Sequence, residues 1–252
     1  MYLLSAFLLL GVLDTAHPAP APVAESSPAF FAADQGRDKD KDKEREKESE
    51  QALVRYFQVS KKGIRRSVSM VAHFAGSVPK MKMAAVADAR RKVNKDGVVE
   101  YEVNGRQGDN SVWKELILRY MNGEMETSTK DRSQVAITTD NYKFKYKGMR
   151  ERDGRMAYVY ELNPRKKREG LFKGEVWLDT ETSLPLMESG RFVKSPSVFL
   201  KKIQFTREYA IQDGVPVPKA MQTSIETRFW GPAELDIQYS QFRWEEALPA
   251  LE

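Results

Sequence analysis

From residue 67 onward, apolar positions recur at every second residue. Tyr142, Phe144 and Tyr146 alternate with Lys143, Lys145 and Lys147, and Met156, Tyr158, Tyr160 and Leu162 with Ala157, Val159 and Glu161. Phe199, Ile203, Phe205 and Tyr209 share a parity with Lys201 and Arg207. Parity is also kept among Met221, Ile225 and Phe229, and among Leu235, Ile237 and Tyr239. Alternation of this kind marks half-buried strands. Asp96-Gly97, Asp153-Gly154 and Asp213-Gly214 each separate two such runs, and Asp-Gly supplies the positive φ of tight hairpin turns. Asp179 to Ser183 is a further polar turn. Strands are expected at 67–75, 81–94, 97–105, 134–147, 155–163, 171–179, 184–193, 197–211, 215–229 and 233–243. Sequential hairpins make an antiparallel meander, and one of this size must curl or close to hide its edges.

Two segments change period. Leu53, Val54, Phe57 and Gln58 are spaced for a short amphipathic helix over 51–60, with Gly63 beyond it. Ser111 can cap a second helix, whose apolar face holds Val112, Trp113, Leu116, Ile117, Tyr120 and Met121 and which Asn122-Gly123 would stop. A weaker helical pattern follows at 124–132. A helix inserted in a curved sheet buries its apolar face on the concave side.

Ahead of residue 51 the pattern is different. Residues 2–13 are an apolar run too short to span a bilayer as a helix, followed by small residues and prolines. That reads as a secretory signal peptide over 1–24, although no Lys or Arg precedes it; an uncleaved membrane anchor is the alternative. Residues 37–50 alternate in sign without one apolar side chain, so 25–50 is expected as a disordered charged linker or an exposed ion-paired helix. The remaining 51–252 is one domain of ordinary size. Hydrophobic residues make up 41% of the chain, enough for a packed core. The net charge of +5 conceals an asymmetry: residues 1–50 carry six Lys/Arg against ten Asp/Glu, and the rest 35 against 26. The domain is therefore basic, with charges scattered along its strands.

Candidate chemistry is sparse. There is no cysteine, which excludes thiol catalysis, cysteine zinc sites and a lipid-bearing Cys after the signal. His73 is the only histidine beyond the signal region, within a strand-like run, and reads as a satisfied strand residue. Asp179 and Glu181 share a turn, where acids serve conformation. No catalytic residue, metal site or cofactor is expected. The loop Arg165-Lys166-Lys167-Arg168 could grip phosphates, but reads first as a solvated hairpin loop. The aromatic stripe of Tyr142, Phe144, Tyr146, Tyr158 and Tyr160 suits a partly wet cavity, because tyrosine puts a polar tip on an apolar body.

The run from Tyr142 to Phe242 resembles the LolA-like family of outer-membrane lipoprotein-sorting proteins. The resemblance is carried by Asn141-Tyr142-Lys143-Phe144, Gly174-Glu175-Val176-Trp177-Leu178-Asp179, Leu184-Pro185-Leu186 and Gly190-Arg191-Phe192. Glu226-Thr227-Arg228-Phe229 and Glu234-Leu235-Asp236-Ile237 complete it. It implies a mainly β (α+β) fold: a large curved antiparallel sheet forming an open half-barrel, with one to three helices covering the concave face. It also implies a periplasmic, non-enzymatic carrier of lipid or acylated lipoprotein. On that reading the cavity is lined by Tyr142, Phe144, Tyr146, Tyr158, Tyr160, Val176, Leu178, Ile203, Phe205, Met221, Ile225, Phe229, Leu235 and Ile237. Trp113, Leu116, Ile117 and Tyr120 form the lid. Each buried CH₂ of an acyl chain would contribute about 0.8 kcal/mol. Expected partners are lipid, lipoprotein or an envelope protein, with peripheral membrane contact, no nucleic acid and a monomeric state. The alternatives are an envelope protein-interaction or stress-sensing module on the same fold and, more remotely, a carboxylate-dependent hydrolase.

Overall fold

The structure is a computed structural model that describes residues 28–62, 67–131, 133–195, 200–228 and 231–244. The signal-peptide reading of 1–24 lies outside them. Residues 28–50, part of the segment expected as a linker, belong to a helix, α1, spanning Pro28–Lys62. The chain divides into two compact units between Asp42 and Lys43, and everything below concerns the second.

Ten strands follow: β1 Val68–Val78, β2 Met83–Val93, β3 Val99–Gly108, β4 Tyr142–Arg152 and β5 Arg155–Pro164. They continue as β6 Phe172–Asp179, β7 Pro185–Phe192, β8 Leu200–Gln212, β9 Val215–Thr227 and β10 Pro232–Trp244. All pairings are antiparallel, in the order β3-β2-β1-β10-β9-β8-β7-β6-β5-β4. The first strand pairs with the last. The edges, β3 and β4, do not pair with each other, so the sheet is open.

The hairpins form where the turn residues require them. Asp153 and Gly154 have φ of 51° and 76°, and Asp213 and Gly214 of 51° and 73°, the two successive positive values of a two-residue hairpin turn that follows the sheet's twist. Asp179 is buried and closes the β6–β7 turn. Its Oδ1 accepts from Thr182 N and Oγ1, and its Oδ2 from Arg155 Nε at 2.8 Å. Burial alone would raise its carboxyl, but these hydrogen bonds and the Arg155 charge outweigh it and hold it below the ordinary carboxylate range.

Three local expectations need correction. The fourth strand starts at Tyr142, not 134, because the preceding segment is turned on itself: Asn141 Nδ2 donates to the Ser133 and Ala136 carbonyls, and Tyr142 N to Thr138 O. The second helix is capped by Asp109, whose Oδ1 accepts from Ser111 N and Val112 N, not by Ser111. It also passes through Asn122-Gly123. Its α-helical start Asn110–Val112, π-helical stretch Trp113–Leu118 and α-helical end Arg119–Ser128 form one joined helix, α2.

One hydrophobic core lies between the sheet's inner face and the helices. It includes Phe74, Ala87, Tyr142, Tyr160, Val176, Phe205, Met221 and Ile237 from the sheet, Ala52 and Tyr56 from α1, and Val112, Trp113, Ile117 and Met121 from α2. A smaller cluster of Ala157, Val159, Trp177, Leu186 and Met187 sits apart from it.

Gly174 and Gly190 are paired in register across β6 and β7. A Cβ on Gly174 would overlap the Ser189 carbonyl, and one on Gly190 would strike Lys173 O and the Phe172 ring. Glycine is needed here for closeness of approach rather than for turn geometry. Gly174→Ala is expected to destabilise the domain by about 3 kcal/mol or more. Gly105→Ala on β3, where an added Cβ meets nothing within 4 Å, should stay within about 0.5 kcal/mol. Urea unfolding of the two variants checks both values.

Candidate functional site

The inner face of the sheet is covered from two sides. α1 lies over β4–β6: Tyr160 OH donates to Ser49 O at 2.6 Å, Tyr158 OH to Glu48 Oε2 at 3.2 Å, and the Phe57 and Phe144 rings meet edge-on at 5.4 Å. Arg55 Nε reaches Ser183 Oγ at 2.9 Å. The face α1 presents is Ser49, Ala52 and Tyr56, all buried, while Val54, expected on the apolar side, is exposed. Spacings of three and four put Ala52 and Tyr56 on one stripe and turn Val54 away from it.

α2 lies over the other flank. Trp113, Ile117 and Met121 recur at intervals of four, and all three are buried. Gly76 on β1 makes the close approach: a Cβ there would stand 3.1 Å from both Leu116 Cδ2 and Val112 Cγ1. Tyr120 sits 6.0 Å from Phe74, ring to ring, and its hydroxyl lies 3.4 Å from Met221 Sδ. The far end of α2 is held by charge. Arg91 of β2 contacts both carboxylate oxygens of Glu124, at 2.6 Å and 3.3 Å, and Tyr101 of β3 donates its hydroxyl to the same group. Burial would push Glu124 up, but Arg91 and the Tyr101 hydroxyl outweigh it and hold the carboxyl below its ordinary range.

Of the expected lining residues, Tyr142, Tyr158, Tyr160, Val176, Leu178, Phe205, Met221, Leu235 and Ile237 are buried in the inner core, and Phe144, Tyr146 and Ile225 pack against it half-buried. Ile203 is half-buried outside that cluster, and Phe229 lies outside the described residues. The four lid residues all belong to α2's inner side, with Trp113 and Ile117 buried and Leu116 and Tyr120 packed partly buried. Burial raises the Tyr142 hydroxyl to about 12 despite the hydrogen bond it accepts from Phe172 N, so it stays neutral.

Between the flanks the cover is incomplete over β8 and β9. Ile203 and Ile225 face each other in register and remain partly accessible. Further along β8, Arg207 keeps 35% of its side-chain surface accessible while pairing with buried Glu188 at 3.1 Å and lying 5.6 Å from the Phe205 ring centre. Thr223, opposite Phe205 on β9, has a buried hydroxyl with no hydrogen-bond partner among the described residues. The inner face is thus partly accessible at Ile203 and Ile225 and, four residues along β8, at Arg207. Sequence reasoning listed the apolar residues but passed over Arg207, Tyr239 and the α1 residues Ala52 and Tyr56. Strand parity carried the signal for the first two, since Arg207 shares a parity with Phe205 and Tyr209, and Tyr239 with Ile237.

Groups that could suggest catalysis are occupied structurally. His73 Nδ1 is 2.7 Å from Asp88 Oδ1, its cross-strand partner, and both side chains are more than half exposed. Among the described residues no three His, Cys, Asp or Glu side chains are grouped to hold a metal, and no helix is long and apolar enough to cross a membrane.

No protein-family model and no curated protein matches the sequence. Similar solved structures include a DUF1329 family protein from Desulfovibrio piger, at a TM-score of 0.45 and 14% identity over 79% of this chain and 94% of that one. Another is an outer membrane lipoprotein-sorting protein domain from Vibrio parahaemolyticus, at 0.37 and 11% over 82% and 95%. A third is a LolA superfamily protein from Nitrosomonas europaea, at 0.34 and 13% over 73% and 88%.

The Arg91–Glu124 latch gives a pH test. Because the folded carboxyl is depressed, its stabilisation is fully present above the unfolded value of about 4.3 and is lost as pH falls through the lower folded value. Glu124→Gln should cost about 3 kcal/mol at neutral pH by leaving Arg91 buried and unpaired. The gap from the parent protein should narrow in acid, and thermal unfolding between neutral pH and pH ~3 measures it.

Proposed function

We propose that this protein is an exported carrier that shelters an acyl chain, of a lipid or a lipoprotein, on the inner face of its open sheet. The observation that carries the proposal is the partly accessible strip on β8 and β9, where Ile203 and Ile225 are half-buried and Arg207, four residues further along β8, keeps 35% of its side-chain surface accessible. An amphiphile would place its chain on the isoleucines and its polar group near Arg207. Binding would widen the strip by moving α2, which crosses the face as a lid. Its tip is held by the Arg91–Glu124 pair, and its body rests on Gly76 without a side chain between. The reading assigns binding, with no catalytic residue.

A second reading is a protein-interaction module of the cell envelope. It is favoured by the closure of the tyrosine stripe under α1, where the Tyr160 hydroxyl is satisfied by the Ser49 carbonyl. On that reading the inner face is filled core, and the partner binds elsewhere.

The full chain, purified from an envelope-expressing host, would be examined by native mass spectrometry followed by solvent extraction. A near-stoichiometric acyl lipid is expected. Ile225→Lys should reduce retained lipid roughly tenfold, the equivalent of about two methylenes of burial, with little change in unfolding temperature. A clean apo mass, with no uptake from offered lipid, would overturn the carrier and favour the interaction module.

A further inference from the structure

A feature of the sheet's rim lies outside the proposed cargo strip. The loop Arg165-Lys166-Lys167, where β5 turns toward β6, stands with Lys173 of β6 and Arg191 of β7 around a groove of about 730 Å³. Lys201 and Lys202 of β8 line it as well, and among the described residues Glu226 is its one carboxylate. These seven cations come from four separate stretches of chain, so the fold assembles them; the sequence shows only the loop.

Some sheet cations outside the groove are answered by acids: Arg150 by Glu175 at 3.6 Å, Lys147 by Glu161 at 3.8 Å, and Lys219 by Asp153 at 2.8 Å. In the groove only Lys202 is, by Glu226 at 3.7 Å. Among the described residues Lys166, Lys167, Lys173, Arg191 and Lys201 form no ion pair. Uncompensated like charges in a hollow concentrate a positive field that an anionic surface can answer.

The groove also has an apolar wall. Phe192 and Val193 line it and pack at the same time against the inner core. Lys202 and Glu226, though next in the chain to Ile203 and Ile225, point to the opposite face of the sheet, so the groove's apolar side chains are Phe192 and Val193. Phosphate-binding charge beside an apolar wall fits a lipid interface, where headgroup phosphates and acyl chains lie a few ångströms apart. A nucleic acid would satisfy the cations and leave the apolar edge without a role.

We propose that this groove docks the protein on an anionic phospholipid bilayer, with headgroup phosphates among Lys166, Lys167, Lys173 and Arg191. Docking does not rest on the carrier reading.

The test is flotation of the full chain with vesicles of phosphatidylglycerol in phosphatidylcholine and with phosphatidylcholine alone, across a salt series. Binding is expected only to the anionic vesicles, weakening as salt rises. The variant K166Q/K167Q/K173Q, altered at three exposed positions, should keep its unfolding temperature and lose roughly hundredfold in vesicle affinity. The variant K143Q/K145Q/K147Q removes the same charge from edge strand β4 and should lose far less. Equal losses from the two variants, equal binding to uncharged vesicles, or tighter capture by a single-stranded oligonucleotide than by vesicles would each overturn the proposal. Lipid extraction from the same samples reports on the carrier separately. Vesicle binding without cargo supports docking and sinks the carrier, and cargo without vesicle binding does the reverse.

Discussion

The constraint on which the rest depends is that β3 and β4, consecutive in the chain, are the two opposite edges of one ten-stranded sheet. Neighbouring strands lie about 4.8 Å apart, so a flat sheet would separate these edges by roughly 43 Å. Segment 109–141 has to make the crossing. It leaves β3 under tight control: Gly108, at φ 96°, lies against the Ala84 backbone, and Asp109 N donates to Ala84 O. Asp109 then caps α2 at once. A chain obliged to cross an apolar face does best as a helix, which satisfies its own backbone groups and offers that face a stripe of Trp113, Ile117 and Met121. The helix across this face follows from strand order, and the pairing of β1 with β10 sets that order.

The same constraint accounts for the mixed chemistry of the inner face. α1 and α2 shield opposite flanks and reach the strands between them by side chains such as Tyr120, which meets Met221. There the face departs from a simple core: Ile203 and Ile225 are half-accessible, and Arg207 projects between Phe205 and Tyr209 against buried Glu188. A buried ion pair adds little net stability, because desolvation consumes most of the attraction, but removing one partner is expensive. Arg91–Glu124 and Arg207–Glu188 therefore contribute position more than free energy: the first fixes where α2 ends, and the second keeps a cation on the inner face.

Much of this was legible in advance. Period-two alternation placed all ten strands, and Asp153-Gly154 and Asp213-Gly214 took up the paired positive φ values that two-residue hairpins need. The apolar parity of β4–β6 and β8–β10 named most of the inner core, because each strand's alternation is a local property. The helix boundaries read less well. Asn122-Gly123 signals a stop, yet α2 continues to Ser128, where Glu124 finds Arg91 and Tyr101 on strands that precede it. Tertiary contacts outweighed a local signal worth about 1 kcal/mol. The register of 134–141 failed for the opposite reason: Asn141 binds the carbonyls of its own segment and turns it before a strand can start.

By itself the sequence determined the period of each segment, the turns and the basic balance of the domain, since these depend on neighbours a few residues apart. Only the tertiary structure decided that the first strand meets the last, that α1 closes the tyrosine stripe, and that Arg165, Lys173, Arg191 and Lys202 share one groove. Each of these joins residues far apart in the chain, and pairing at that distance is set by which faces can be buried together, which no local pattern records.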